Sequence, residues 1–175
     1  MKKTFSLLII LAWAFSPTAA VSAEKHKADN TQQVYFSPNG HIKNRIVDEI
    51  NNSKNSIDIA VFNFTSYGIK SALKKALKRG VQIRIITDQG ESDDIHSVIG
   101  SLLEDGFKIK ILKGAGKNGL MHNKFAIFDR QLLLTGSYNW TETAEHYNYE
   151  NALFLSDKSV IKEYIGEFDS LWSKT

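Results

Sequence analysis

The stretch from Ile57 to Thr87, IDIAVFNFTSYGIKSALKKALKRGVQIRIIT, decides the fold class. Ile57 to Phe64 is a short, almost unbroken apolar run, the signature of a strand buried on both faces. Tyr67 to Lys78 changes period and becomes an amphipathic helix, with Lys70, Lys74 and Lys78 four apart on one face and Gly80 as its C-terminal stop. Val81 to Thr87 then alternates like a strand again. Strand, helix and strand in 31 residues leave room for little but an α/β unit.

Working outward, the same alternation continues. Upstream, Val34 to Phe36 reads as a strand, Pro38-Asn39-Gly40 as a turn, and His41 to Asn51 as a helix carrying Ile42, Ile46, Val47 and Ile50. Downstream, Ser92 to Glu104 reads as a helix with Ser92 as N-cap, and Phe107 to Leu112 as a strand. Two strands follow, His122 to Phe128 and Leu132 to Gly136, joined by a tight turn at Asp129-Arg130-Gln131. A short helix over 140–145, a strand over 152–155 and a closing helix over 158–172 complete the pattern. The expected fold is α/β: a mixed, mostly parallel sheet of about seven strands with helices on both faces. No internal repeat or linker interrupts it, so residues 34–175 read as a single domain, preceded by a polar, flexible arm at 24–33.

The first 23 residues have another character. Met1-Lys2-Lys3 is basic, Phe5 to Phe15 is an uncharged apolar run of 11 residues, and Val21-Ser22-Ala23 offers small residues for cleavage. That is the three-part pattern of a secretory signal peptide. A spanning helix needs about 20 apolar residues. The expected location is therefore the bacterial periplasm or the outside of the cell. Loss of Lys2 and Lys3 takes the net charge from +3 to +1, so net charge says little about partners. The chain has no cysteine, which excludes a disulfide scaffold, a thiol nucleophile and a Cys-ligated zinc.

Gly114-Ala115-Gly116-Lys117-Asn118-Gly119 matches G-x-G-x-x-G letter for letter. The dinucleotide reading needs a helix opening at those glycines. The next segment, from His122, reads as a strand, so a flexible loop with Lys117 available to an anionic ligand is the better reading.

The chemistry lies just beyond. His122 and Lys124 are two apart, so a strand points both to one face. An imidazole beside an ammonium suits an anion better than a dry core. The next strand ends in Gly136-Ser137-Tyr138-Asn139, where Ser137 and Asn139 share parity and supply neutral donors, and Glu150 could orient the imidazole through one ring nitrogen. His26, His41, His96 and His146 are scattered, and no H-E-x-x-H or tight carboxylate cluster is present, so no metal site is expected.

His122-x-Lys124-x4-Asp129-x6-Gly136-Ser137-x-Asn139, followed by Glu150, resembles the signature of the phospholipase D superfamily, complete at every fixed position. The pattern from Val34 to Trp172 is similar to the single-motif bacterial members, and closely to small secreted plasmid-borne endonucleases. The resemblance implies phosphodiester cleavage through a covalent phosphohistidine, with no cofactor. One motif per chain implies a two-fold homodimer, each chain giving one His122 to a shared site. Lys124, Ser137 and Asn139 would hold the phosphate oxygens, and Glu150 would orient His122. Asp129 has the opposite parity and is expected to fix the hairpin, with Gly136 as a structural position of the motif.

DNA, single- or double-stranded, is the expected substrate. Lys108 and Lys110 alternate onto one strand face, and Lys113 and Lys117 continue toward the glycine loop, a row that could follow a phosphate backbone. Nothing reads base edges, so cleavage should be sequence-nonspecific. The alternatives are a phospholipid or RNA phosphodiesterase and a non-enzymatic DNA-binding module. A lipid enzyme should show an exposed apolar rim or a retained anchor. The helices have ordinary one-faced patterns, so no such rim and no stable membrane association are expected.

Overall fold

In chain order the elements are β1 (Gln32–Ser37), α1 (Ile42–Asn52), β2 (Ser56–Val61), α2 (Tyr67–Lys78), β3 (Gln82–Asp88), α3 (Gln89–Ser92), α4 (Ile99–Glu104), β4 (Lys108–Leu112), β5 (Lys124–Phe128), β6 (Leu132–Gly136), α5 (Glu142–His146), β7 (Glu150–Leu155) and α6 (Lys158–Ser173). They come from a computed structural model that describes residues 32–174. The expected signal peptide and positions 24–31 of the expected arm lie outside the described residues. Gln32 and Gln33, expected in the arm, belong instead to β1, where they pair with Leu155 and Phe154.

The strands form one seven-stranded sheet in the order β1-β7-β6-β5-β2-β3-β4. The α/β class and the mixed sheet stand as expected; the parallel share does not. Only β2–β3 and β3–β4 are parallel, while the other four pairings are antiparallel. The crossover helix α2 forces the parallel β2–β3 step, and the turn at Asp129–Gln131 makes β5–β6 a hairpin. β1 and β7 add antiparallel pairs at the far edge, through contacts between segments distant in sequence.

Each face of the sheet carries its own core. Ile57, Ile59 and Val61 of β2 point to one side and pack with Ile42, Ile46 and Ile50 of α1, Leu73 of α2 and Leu102 of α4. Ala60 points to the other side, where Phe125, Ile127 and Leu133 meet Ile161 and Phe168 of α6. The alternation along β2 places the two sets, and its near-continuous hydrophobicity is the price of being covered twice. Arg84 of β3 anchors α6: its guanidinium makes a bidentate pair with the buried Asp58 at 2.7 and 2.9 Å, reaches Asp169 at 2.9 Å, and lies over the Phe168 ring at 4.7 Å.

The helix expected over 92–104 is broken. Asp94 accepts the His96 amide at 2.7 Å, and the Val98 amide donates to Phe64 carbonyl at 3.0 Å, outside any helical ladder. Helix α4 starts only at Ile99. The buried Glu145 links α5 to the start of α1 by accepting the Lys43 amide and the Tyr138 hydroxyl at 3.0 and 2.8 Å. Burial, then Glu145, push the Tyr138 phenol well above its ordinary range.

The register fixes which chain segments meet. Val61 pairs with Lys124, Gly136 with Ala152, and Ser37 with Glu150. The C-terminal ends of β2, β3, β4 and β6 therefore share one end of the sheet with the starts of β5 and β7.

Candidate active site

That shared end gathers the motif residues other than Asp129. His122 is exposed and sits just before β5, not within it as expected. The Lys124 ammonium lies 3.1 Å from His122 Nδ1 and donates to the His122 carbonyl at 2.7 Å. Phe62, one residue past β2, completes this pair: its ring centroid is 4.4 Å from the imidazole and 4.9 Å from the ammonium. Burial lowers the Lys124 pKa, against the opposing charges of Glu150 and then Glu91.

Ser137 and Glu150 form a second pair beside the first. The Ser137 hydroxyl donates to Glu150 at 2.5 Å and accepts the Asn151 amide at 3.1 Å, while Asn148 donates to the other Glu150 oxygen at 3.0 Å. The expected orientation of His122 by Glu150 is therefore not present within one chain, and the Ser137 hydroxyl proton is committed to Glu150. Gly136 is required where these segments meet, because a Cβ there would lie 2.2 Å from the Asn151 carbonyl oxygen. Asn139 turns its oxygen to the Asn63 amide at 3.3 Å, leaving its amide nitrogen available to a ligand.

Asp129 lies at the opposite end of β5, in a left-handed conformation with φ 51°. Its carboxylate accepts the backbone amides of Lys54, Asn55 and Ser56 at 2.8, 2.7 and 2.9 Å. Burial opposes its charge, but these amides outweigh burial and hold the carboxyl below its usual range.

The lysine row does not stay together. Lys108 pairs with Arg84 low in the sheet, away from His122. The Lys110 ammonium is bound to the Trp172 and Lys174 carbonyls and caps the end of α6. Lys113 remains, lining with Leu120, His122 and Lys174 a cleft of about 460 Å³. Lys117 is exposed on the glycine loop, which opens no helix.

Sequence reasoning missed two groups. Asp88, buried at the end of β3, accepts the Gly90 and Met121 amides at 2.9 Å each and so ties down the residue before His122. An acidic residue ending a buried strand was the available signal. The Asn63 side-chain amide donates to Glu91, a contact with no sequence signal. Among the described residues, the exposed large apolar side chains Phe36, Tyr67, Ile95, Leu120, Tyr147 and Tyr149 belong to segments at the site end of the sheet.

Comparison with known proteins agrees with this geometry. Residues 46–172 match the family described as cardiolipin synthase, PLD-like domain. NucT from Helicobacter pylori superposes with a TM-score of 0.76 at 28% identity, over 80% of this chain and 94% of that one. Nuc from Salmonella typhimurium, a phospholipase D family member, gives 0.75 at 26% identity, over 82% and 95%. The mitochondrial cardiolipin hydrolase of Chlamydomonas reinhardtii is 36% identical over 128 residues, 73% of this chain and 56% of its own length.

The chain belongs to the phospholipase D superfamily, whose PLD-like domain it carries over residues 46–172. It spans about half the length of the curated relatives it matches. Those relatives correct one expectation: they are mitochondrial proteins, which points away from a periplasmic or secreted location.

Proposed function

We propose that the chain is a metal-independent, sequence-nonspecific endonuclease that hydrolyses DNA through a phosphohistidine on His122, in a site shared by two chains. The observation that carries this reading is the exposed His122 beside the Lys124 ammonium, on a cleft edged by Lys113 and Lys174. A bound phosphate would draw that ammonium to itself and free His122 Nδ1 to carry the ring proton, which leaves the other ring nitrogen unprotonated. The other ring nitrogen attacks phosphorus, the P–N bond forms, and the P–O bond to the leaving nucleotide breaks. The departing oxygen needs a proton from the far side of phosphorus, where one histidine cannot also stand. The partner subunit's His122 supplies it, then takes the proton from water as that water cleaves the P–N bond and restores His122. Lys124 and the Asn139 amide, from both chains, hold the non-bridging oxygens. Asp129, saturated by backbone amides, holds the turn and touches no phosphate.

A second reading, phospholipid hydrolysis, is favoured by the exposed apolar side chains in the segments at the site end and by the cardiolipin hydrolase relatives. One experiment separates the two: plasmid nicking and cardiolipin-vesicle hydrolysis in excess EDTA, each with wild type and His122→Asn. The nuclease reading expects nicking that survives EDTA and is lost in the variant. Lipid turnover without nicking would promote the second reading, and nicking abolished by EDTA and restored by magnesium would overturn the covalent-histidine mechanism.

A further inference from the structure

The strand parity that sends Lys108 and Lys110 to one face of β4 carries Lys110 onto α6. Leu112, two residues further along that face, packs in the same core as Leu171 and Trp172. Lys110 Nζ donates to the Trp172 carbonyl at 2.5 Å and to the Lys174 carbonyl, acceptors left over where a helix ends. Three further contacts fix the same turn. The Lys174 amide donates to the Leu171 carbonyl at 3.3 Å, the Trp172 ring stacks on Phe168 at 5.8 Å, and the Arg84 guanidinium lies 5.5 Å from the Trp172 ring centre. The chain therefore leaves α6 at a defined place, and there Leu171 and Lys174 line the cleft that holds His122.

That cleft has two kinds of wall. Lys113 and Lys174 bring ammonium groups, Leu120 and Leu171 bring apolar surface, and among the described residues no carboxylate lines it. At about 460 Å³ it is of small-ligand size, larger than the reacting phosphate alone requires. We propose that the C-terminal turn of α6 is a substrate-binding element: Lys174, with Lys113, binds the phosphate next to the scissile one along a nucleic-acid strand, and Lys110 is a positioning residue that holds Lys174 there. The inference rests on the nuclease reading given above and deepens it by assigning a place to the neighbouring nucleotide. Lys110 acts through two backbone carbonyls, so its own ammonium serves α6 and not the substrate.

The test compares a short single-stranded oligonucleotide with bis(p-nitrophenyl) phosphate, a diester that has no neighbouring phosphate. Lys174→Ala should raise the ratio of the two KM values, oligonucleotide over small diester, about threefold, and reduce the salt slope for the oligonucleotide by about one. Lys110→Met keeps the aliphatic stem against α6 but releases both carbonyls, and should raise the ratio by a similar factor. The double variant should rise no further than Lys174→Ala, because the effect of Lys110 passes through Lys174. Lys110→Arg, which still offers donors to both carbonyls, should restore most of the wild-type ratio. A wild-type ratio in either Lys174→Ala or Lys110→Met, or rises that multiply in the double variant, overturns the proposal. So does a lower melting temperature in Lys110→Met with no change in the ratio. His122→Asn is run on both substrates: turnover retained there defeats the reading of the site itself, while a dead His122→Asn beside wild-type ratios in the lysine variants defeats only this inference.

Discussion

The two ends of β5 carry residues of one motif and treat them in opposite ways. At the lower end Asp129 is spent on structure, its two oxygens taking the backbone amides of Lys54 and Asn55 and of Ser56 at the start of β2. At the upper end His122 is exposed, and Lys124 is half-buried against an aromatic ring with its ammonium beside an imidazole. One end is saturated and the other is left with bonding capacity to spare. A fixed spacing in sequence therefore joins two different demands: one residue locks the strand, and the others are held ready by that locking.

The sharpest way to break this contrast is to exchange the expected losses. His122→Asn should reduce diester turnover by at least about 10³-fold with an unchanged melting temperature. Asp129→Asn should do the reverse, lowering the melting temperature by about 3–6 °C, with kcat of the folded enzyme within about threefold of wild type. Turnover lost in Asp129→Asn at an unchanged melting temperature would move Asp129 into the site. Gly136→Ala comes next. Its Cβ must push the Asn151 carbonyl away, so urea titration should show a loss of about 1–3 kcal/mol. Turnover should fall with it, because Ser137 and Glu150 are held beside that contact.

The lower end also predicts a pH dependence. The Asp129 pKa is depressed in the folded chain, so its contribution is complete above the unfolded value and is lost as pH falls through the folded one. The stability gap between wild type and Asp129→Asn should be constant above about pH 5 and shrink as acid is added below about pH 4. The smallest effects concern the lysines. Lys113→Ala should raise the KM for DNA about threefold and reduce the salt slope by about one, while Lys108→Ala, far from the cleft, should leave both unchanged.

What was legible in the sequence follows the range of the forces involved. Strand β2, helix α2 and strand β3 were readable because their apolar periods are local. The balance of parallel and antiparallel pairs was not, because β1 meets β7 across more than a hundred residues. The break before α4 was hidden for the same reason: a carbonyl at Phe64 captures the Val98 amide. In the candidate site, the spacing pointed to His122, Lys124, Ser137, Asn139 and Glu150, which the fold brings to one end of the sheet. It could not show that Glu150 turns to Ser137 rather than to His122, or that Lys110 is consumed by the end of α6. Parity along a strand gives a direction, whereas a hydrogen-bond partner depends on segments that arrive from elsewhere.

The glycine loop has a further consequence for how such a site could be remodelled. The Gly114 amide closes on the Gly119 carbonyl at 3.0 Å, and a Cβ on either glycine would strike the opposing backbone within about 2.2 Å. The neck is thus pinched shut, and the exposed Ala115 to Asn118 tip hangs from it as a detachable cassette. Doubling such a loop costs only about 0.6 kcal/mol in closure entropy. Selection, or an engineer, could lengthen the tip beside the cleft, graft aromatic or basic residues onto it, and change which phosphodiester is favoured while the sheet and His122 stay where they are.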